Sequence, residues 1–153
     1  MSLIGEMSKD LKISESYLNL LEKKNNSYRK ITINGKKKKR IVYVPSKELK
    51  TVQYWLVHHI FNKCKTSEYC TAYKQGMSIK NNAEKHSKNN YILHMDIKNF
   101  FPSVNNKKLI TALINNDLNL SKKDIVTICR YSLYQSRYLV IGSVCAPIIA
   151  NII

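Results

Sequence analysis

Carboxylates are scarce in this chain. Of its 153 residues only 10 are acidic, and the aspartates are Asp10, Asp96, Asp117 and Asp124. Asp96 closes an otherwise apolar run that starts at Tyr91, and Ile97-Lys98-Asn99-Phe100-Phe101-Pro102 follows it. A carboxylate at the C-terminal end of a strand, beside a turn with free backbone N–H groups, is a good ligand for a hard cation. Magnesium takes one or two carboxylates and leaves room in its shell for substrate phosphates. The amides of residues 97 to 101 can grip a triphosphate as an anion nest. A plainer reading stays open beside this one, in which Asp96 only caps a turn.

The cations point to the same class of ligand. Lys and Arg number 26 against the 10 acidic residues, a formal net charge of +16. Such a surface attracts polyanions, with nucleic acid first and an anionic membrane second. Lys36, Lys37, Lys38, Lys39 and Arg40 are consecutive. They are either a solvated run that keeps a strand edge from aggregating or a basic flap that closes on phosphates. Other chemistries find less support. Cys64, Cys70, Cys129 and Cys145 form no Cys-x-x-Cys pair, so they read as reduced cytosolic thiols rather than a disulfide frame. A zinc site from Cys64, Cys70 and His58 or His59 has the wrong spacing for the common frames. His58 and His59 are adjacent and point about 100° apart on a helix, which argues against a shared ligand. No apolar run approaches the roughly 20 residues needed to cross a bilayer. No basic-then-apolar leader opens the chain, which disfavours secretion and favours the cytoplasm.

The elements that must position these groups follow from periodicity. Residues 6 to 24 read as two short helices, with Ser14 capping the second and Tyr17, Leu18 and Leu21 on one face. This pair is either a packing hairpin or a helix-turn-helix DNA reader. Tyr28 to Ile33 and Lys38 to Val44 read as a hairpin around a tight turn at Asn34-Gly35. Pro45 ends the second strand, and Ser46 caps a helix with Leu49, Val52, Leu56 and Ile60 in register and Trp55 and His59 beside them. Residues 64 to 77 read as irregular, with a turn at Gly76. Ser78 opens a short helix to His86. Tyr91 to Asp96 alternates as a strand. Asn105 to Asn115 is helical, and Ser121 to Asp124 resembles a capping box opening a helix to Tyr134. Tyr138 to Ile141 reads as a strand, Gly142 as a turn, and Pro147 opens a last helix. No repeat, low-complexity tract or linker divides the chain.

Four segments together resemble bacterial reverse transcriptases. Arg40-Ile41-Val42-Tyr43-Val44-Pro45-Ser46-Lys47-Glu48-Leu49-Lys50-Thr51-Val52-Gln53 is similar to the first conserved block of that family. Ala72-Tyr73, Gly76, Ser78-Ile79, Asn82-Ala83 and His86 resemble the second. Tyr91-Ile92-Leu93 and Asp96 through Val104 resemble the third, and Gly142 through Pro147 with Ala150 and Asn151 the fourth. The order and spacing fit, over residues from about 8 to 153. The short lead and the Asn-Ala-x-x-His arrangement are most similar to the retron type, related to group II intron and phage-defence enzymes.

The resemblance implies an α+β fold: N-terminal helices, basic β-hairpin fingers and the first part of a polymerase palm. Residues 1–90 would form the helices and fingers, and 91–153 a partial palm with inserted fingers helices. It implies an RNA template, a DNA primer, dNTPs and two Mg²⁺ ions, with no membrane. Asp96 matches the first metal-binding catalytic carboxylate, with the Ile97 backbone beside it. Lys38 and Arg40 match cations that clasp the incoming triphosphate. Asn99, Phe100 and Phe101 match the nucleotide pocket, Phe101 being the gate against a 2′-hydroxyl. Lys36, Lys37 and Lys39 match looser nucleic-acid contacts. Ile141 stands where many relatives have Gln, and Val144 and Ala146 replace the more usual Pro and Ser. Such enzymes take their other two carboxylates from a Tyr-x-Asp-Asp block, and this chain contains no Asp-Asp pair. One carboxylate cannot hold two cations about 3.5–4 Å apart. The expectation is that these residues are a truncated reverse transcriptase, inactive alone and prone to self-association. The alternatives are a non-catalytic RNA-binding module and, more weakly, a DNA-binding regulator built on residues 6 to 24.

Overall fold

A computed structural model describes residues 2–23, 27–35 and 39–153. Two helices open the chain, and both turn their apolar faces inward. In α1 (Leu3–Leu11) the Ser2 hydroxyl accepts the N–H of Gly5, and Leu3, Ile4 and Met7 recur at helical spacing and are buried. The first helix therefore begins before residue 6. Lys12 closes it in the left-handed region at φ 57°, which frees the chain to reverse. In α2 (Glu15–Lys23) the Ser14 hydroxyl accepts the Tyr17 N–H at 3.3 Å, as expected of a cap. Leu18 and Leu21 are buried, while Tyr17 stays exposed. The Tyr131 hydroxyl donates to the Leu18 carbonyl at 2.8 Å, and Trp55 Nε1 donates to Asp10 at 2.8 Å. The pair is a packing hairpin.

The sheet is an antiparallel hairpin of β1 (Tyr28–Asn34) and β2 (Lys39–Pro45), paired from Tyr28↔Pro45 to Asn34↔Lys39. Four positions separate the last pair, so the connection is longer than the two-residue turn read from Asn34-Gly35. Lys36, Lys37 and Lys38 lie outside the described residues, as does the expected start of the second strand at Lys38. Pro45 ends β2 because it has no N–H for a ladder. Ser46 then caps α3 (Lys47–His59) through the Leu49 N–H at 3.2 Å. Leu49, Val52, Trp55 and Leu56 are buried, and His59 stacks on Trp55 at 4.4 Å between ring centroids. A single 3₁₀ turn, Phe61–Lys63, follows.

Residues 64 to 78 are irregular, with Gly76 at φ 78°. Ser78 and Asn81 form a capping box for α4 (Ile79–Glu84), which ends two residues before His86. The one-turn α5 (Phe100–Ser103) precedes α6 (Asn106–Asn115), capped by Asn105. The Ser121–Asp124 box opens α7 (Lys122–Ser132), and α8 (Ala146–Ile152) starts with Pro147 in its first turn. One core joins these pieces: Leu18, Leu56, Phe61, Leu109, Ile128 and Ile149 belong to the same buried cluster. No helix among the described residues is long and apolar enough to cross a membrane.

Two expected strands are absent. Tyr91 to Asp96 has no regular structure and pairs with nothing among the described residues, and its side chains stand in solvent, Tyr91 at 94%, Leu93 at 81% and Met95 at 79%. Alternation records which face a strand would bury, whereas a ladder also needs a neighbour to bond. Tyr138 to Ile141 makes only isolated bridges, Tyr138 to Asn105 and to Tyr134. The backbone of this stretch instead ties separate elements together, Leu139 N–H donating to the Val104 carbonyl at 2.9 Å.

Candidate nucleotide and nucleic-acid site

The basic strand is held from below by aromatic packing. Tyr43 and Tyr28 both lie against Tyr134, with ring centroids 4.7 and 5.6 Å apart, and Tyr138 lies 5.7 Å from Tyr134. Lys30, paired across the hairpin with Tyr43, sets its ammonium 5.5 Å above that ring. Side chains alternate along β2, so Lys39 shares a face with Ile41 and Tyr43, while Arg40 shares the other with Val42 and Val44. Lys39 and Arg40 are both exposed, as phosphate contacts require.

The turn at Gly142 closes against the same strand. The Tyr43 N–H donates to the Ile141 carbonyl at 2.8 Å. Gly142 sits at φ 103°, and a Cβ there would fall inside contact distance of the Tyr43 carbonyl oxygen and 2.9 Å from Val42 Cγ1. Only glycine fits both the backbone angle and the approach. Ile141 is used through its carbonyl, which any residue supplies, so its side chain does not alter this docking. The first and fourth blocks read from the sequence are therefore adjacent in space. The second is joined to the fourth as well, since Asn151 Nδ2 donates to the Ala72 carbonyl at 2.8 Å.

Gln53 lies fully buried at the centre of this junction. Its Nε2 donates to the Tyr28 hydroxyl at 2.5 Å and to the Tyr131 carbonyl at 2.8 Å. Its Oε1 accepts the Val144 N–H at 3.1 Å and the Ser143 hydroxyl at 3.4 Å. Cys145 Sγ lies 3.6 Å from the Gln53 carbonyl. Burial pushes the Tyr28 phenol above its ordinary pKa against the opposing hydrogen bonds of Ser143 and Gln53. Burial also pushes the Cys145 thiol up to about 12. Both stay protonated near neutral pH. Sequence reasoning read Gln53 only as part of the first block. The missed signal was its place between Leu49 and Leu56 on the inward face of α3, where a polar residue needs partners.

Asp96 stands apart from this junction in its contacts. It is exposed on the unpaired stretch, and its carboxylate has no hydrogen-bond or ion-pair partner among the described residues. No group of three His, Cys, Asp or Glu side chains suited to a metal occurs among the described residues. Ile97 is exposed beside it. Asn99 holds φ 55° at the entrance to α5, a conformation Asn tolerates better than most residues. Phe100 and Phe101 meet edge to face at 5.8 Å, and both are half-buried against the core. Lys36, Lys37 and Lys38 lie outside the described residues.

Comparison with known proteins bears on this arrangement. The reverse transcriptase (RNA-dependent DNA polymerase) family matches residues 21–153. The chain is 33% identical to the Retron Ec86 reverse transcriptase of Escherichia coli over 158 aligned residues, covering 100% of this chain and 48% of that protein. It is 42% identical to the Retron Ec73 reverse transcriptase of Escherichia coli over 67 residues, 42% of this chain and 21% of that protein. The Retron Se72 reverse transcriptase of Salmonella heidelberg is 28% identical over 125 residues, 81% of this chain and 32% of that protein. The chain thus spans about half the length, or less, of these relatives. With the family match extending from α2 to the last residue, this chain belongs to the reverse transcriptase family.

Proposed function

We propose that these residues form the fingers and the first catalytic carboxylate of an RNA-directed DNA polymerase that copies an RNA template from a DNA primer with dNTPs. The observation that carries the reading is the docking of the Gly142 turn on β2, which brings the basic strand beside the fourth conserved block. In this reading residues 1–90 supply the helices and fingers, and 91–153 the start of the palm.

Asp96 is the first metal ligand. A free, exposed carboxylate is a hard oxygen donor that suits Mg²⁺, and the Ile97 backbone carbonyl is a second oxygen at the same place. When bound, two Mg²⁺ ions supply the Lewis acidity that activates the primer 3′-hydroxyl and steadies the leaving pyrophosphate. This chain's other residues orient the nucleotide. Arg40, with Lys38, takes the triphosphate through charge-assisted hydrogen bonds, for which a guanidinium is suited to bidentate contact. The amides beyond Asp96, entered through Asn99, face the same phosphates. Phe101 sits beneath the sugar and excludes a 2′-hydroxyl, and Phe100 backs it. Lys36, Lys37 and Lys39 track the nucleic-acid backbone without reading sequence. The free thiols suit the reducing cytoplasm.

One carboxylate does not satisfy two-metal chemistry, so residues 1–153 alone bind but do not polymerise. The test is primer extension on an RNA template with dNTPs and Mg²⁺. The 153-residue chain gives no product, whereas a polypeptide that continues it with a Tyr-x-Asp-Asp segment does. Extension by the 153 residues alone sinks this reading. A second reading, a basic RNA-binding module without polymerase chemistry, is favoured by the lack, among the described residues, of any group of three His, Cys, Asp or Glu side chains that could hold a metal. It gains if the longer, folded polypeptide binds RNA yet never extends a primer.

A further inference from the structure

An amide side chain has two donor hydrogens and two good acceptor positions, four hydrogen bonds at most. Gln53 makes all four, and it makes them to three different parts of the chain: Tyr28 at the base of β1, Tyr131 near the end of α7, and Ser143 and Val144 beside the Gly142 turn. With all four positions used, the amide is held in one orientation, and its buried surroundings strengthen each bond. Leu or Met at position 53 fills much the same space but removes the hydrogen-bond partner of four groups, those of Tyr131 and Ser143 buried and those of Tyr28 and Val144 partly so.

We propose that Gln53 is a positioning residue: through its hydrogen bonds to Tyr28, Ser143 and Val144 it holds the basic hairpin and the 142–145 turn as one unit, so that Arg40 keeps its place over the incoming nucleotide's phosphates. The last clause rests on the polymerase reading above, and the first does not. The Tyr43 N–H to Ile141 carbonyl bond is the outer clasp of this unit, and the Gln53 amide is its inner one. Leu109, Leu113 and Ile128 on α6 and α7 make none of the Gln53 side-chain hydrogen bonds and serve as the internal reference.

Hydrogen exchange on the 153-residue chain separates positioning from bulk stability. In Gln53→Met, and in the milder Tyr28→Phe and Ser143→Ala, the Tyr43 and Val144 amides exchange about tenfold faster or more, while Leu113 and Ile128 change much less. If Gln53→Met fails to fold, Tyr28→Phe, which keeps the ring packed on Tyr134, still decides the matter. Equal acceleration at all four amides, or none at Tyr43 and Val144, overturns the proposal. In a polymerising polypeptide that contains these residues, Tyr28→Phe raises the KM for dNTP about fivefold or more with little change in kcat and in template-primer affinity, the mark of lost nucleotide positioning rather than lost chemistry. An unchanged KM overturns the link to Arg40. If no polypeptide carrying these residues polymerises, the polymerase reading fails, and the exchange pattern alone judges the Gln53 junction.

Discussion

Asp96 and Gly142 are constrained in opposite ways, the first only by its proposed chemistry and the second by packing. Asp96 is exposed and has no hydrogen-bond or ion-pair partner among the described residues, so its side chain contributes little to the packed fold. Asp96→Asn in a polymerising polypeptide is expected to lower primer extension about a thousandfold or more and to leave the melting temperature unchanged. Retained extension removes Asp96 from the site. Gly142 is the reverse case, fixed by space and backbone angle. Gly142→Ala is expected to cost about 2 kcal/mol or more, read as a shift in the denaturation midpoint, because both the strained φ and the Tyr43 carbonyl oppose a Cβ. Phe101 lies between them. It is half-buried against the core, so Phe101→Ala is expected to cost about 1–2 kcal/mol and, in a polymerising polypeptide, to admit ribonucleotides if the proposed gate is correct. Incorporation of rNTP against dNTP measures the gate, and unchanged discrimination places the gate elsewhere.

Capping decides where helices start, and the box at α7 reaches beyond its own helix. Asp124 accepts from the Ser121 hydroxyl at 2.6 Å, from the Ser121 N–H at 3.1 Å and from the Leu3 N–H at 3.2 Å, linking the starts of α7 and α1. Partial burial works against its charge, but the hydrogen bonds of Ser121 and Leu3 and the nearby Lys123 outweigh it and hold the carboxyl below its ordinary value. A carboxyl lowered on folding contributes stability above its unfolded pKa of about 3.9 and loses it as pH falls through the folded value. Asp124→Ala is therefore expected to cost about 1 kcal/mol at neutral pH, and this difference shrinks as denaturation is followed down from about pH 5. A constant difference across that range removes the ionised cap from the account. The thiols are set by the elements around them in the same way. Burial pushes Cys64 up to about 11 and Cys129 up to about 12, as with Cys145.

Seen whole, the molecule combines a packed core with two unsatisfied surfaces. One is electrostatic. With a net charge of +16, binding to RNA is expected to weaken steeply between low and moderate salt, as counterion release requires. Affinity that ignores salt argues against a phosphate-binding surface. The other is the exposed stretch through Tyr91, Leu93 and Met95. An unpaired, exposed apolar segment that alternates as a strand would is open to pairing or apolar contact with another copy, so the isolated 153-residue chain is expected to associate as its concentration rises. Sedimentation tests this, with Leu93→Lys and Met95→Lys expected to restore the monomer; a monomer at all concentrations rejects it.

The sequence by itself determined the helix caps, the hairpin strands and the family. Ser14, Ser46, Ser78 and Ser121 announced their helices because a cap needs only its own next three residues. Pro45 and Gly142 marked an end and a turn because their constraints are intrinsic. Tertiary structure decided everything that needs a distant partner. Alternation from Tyr91 to Asp96 was legible, yet no ladder forms there, because propensity does not provide a neighbouring strand. Gln53 looked like an ordinary helical residue, and only the meeting of β1, α7 and the 142–145 turn around it made its amide the centre of the junction. Hydrogen bonds across such sequence separations leave no periodic trace, since each partner is placed by a different element.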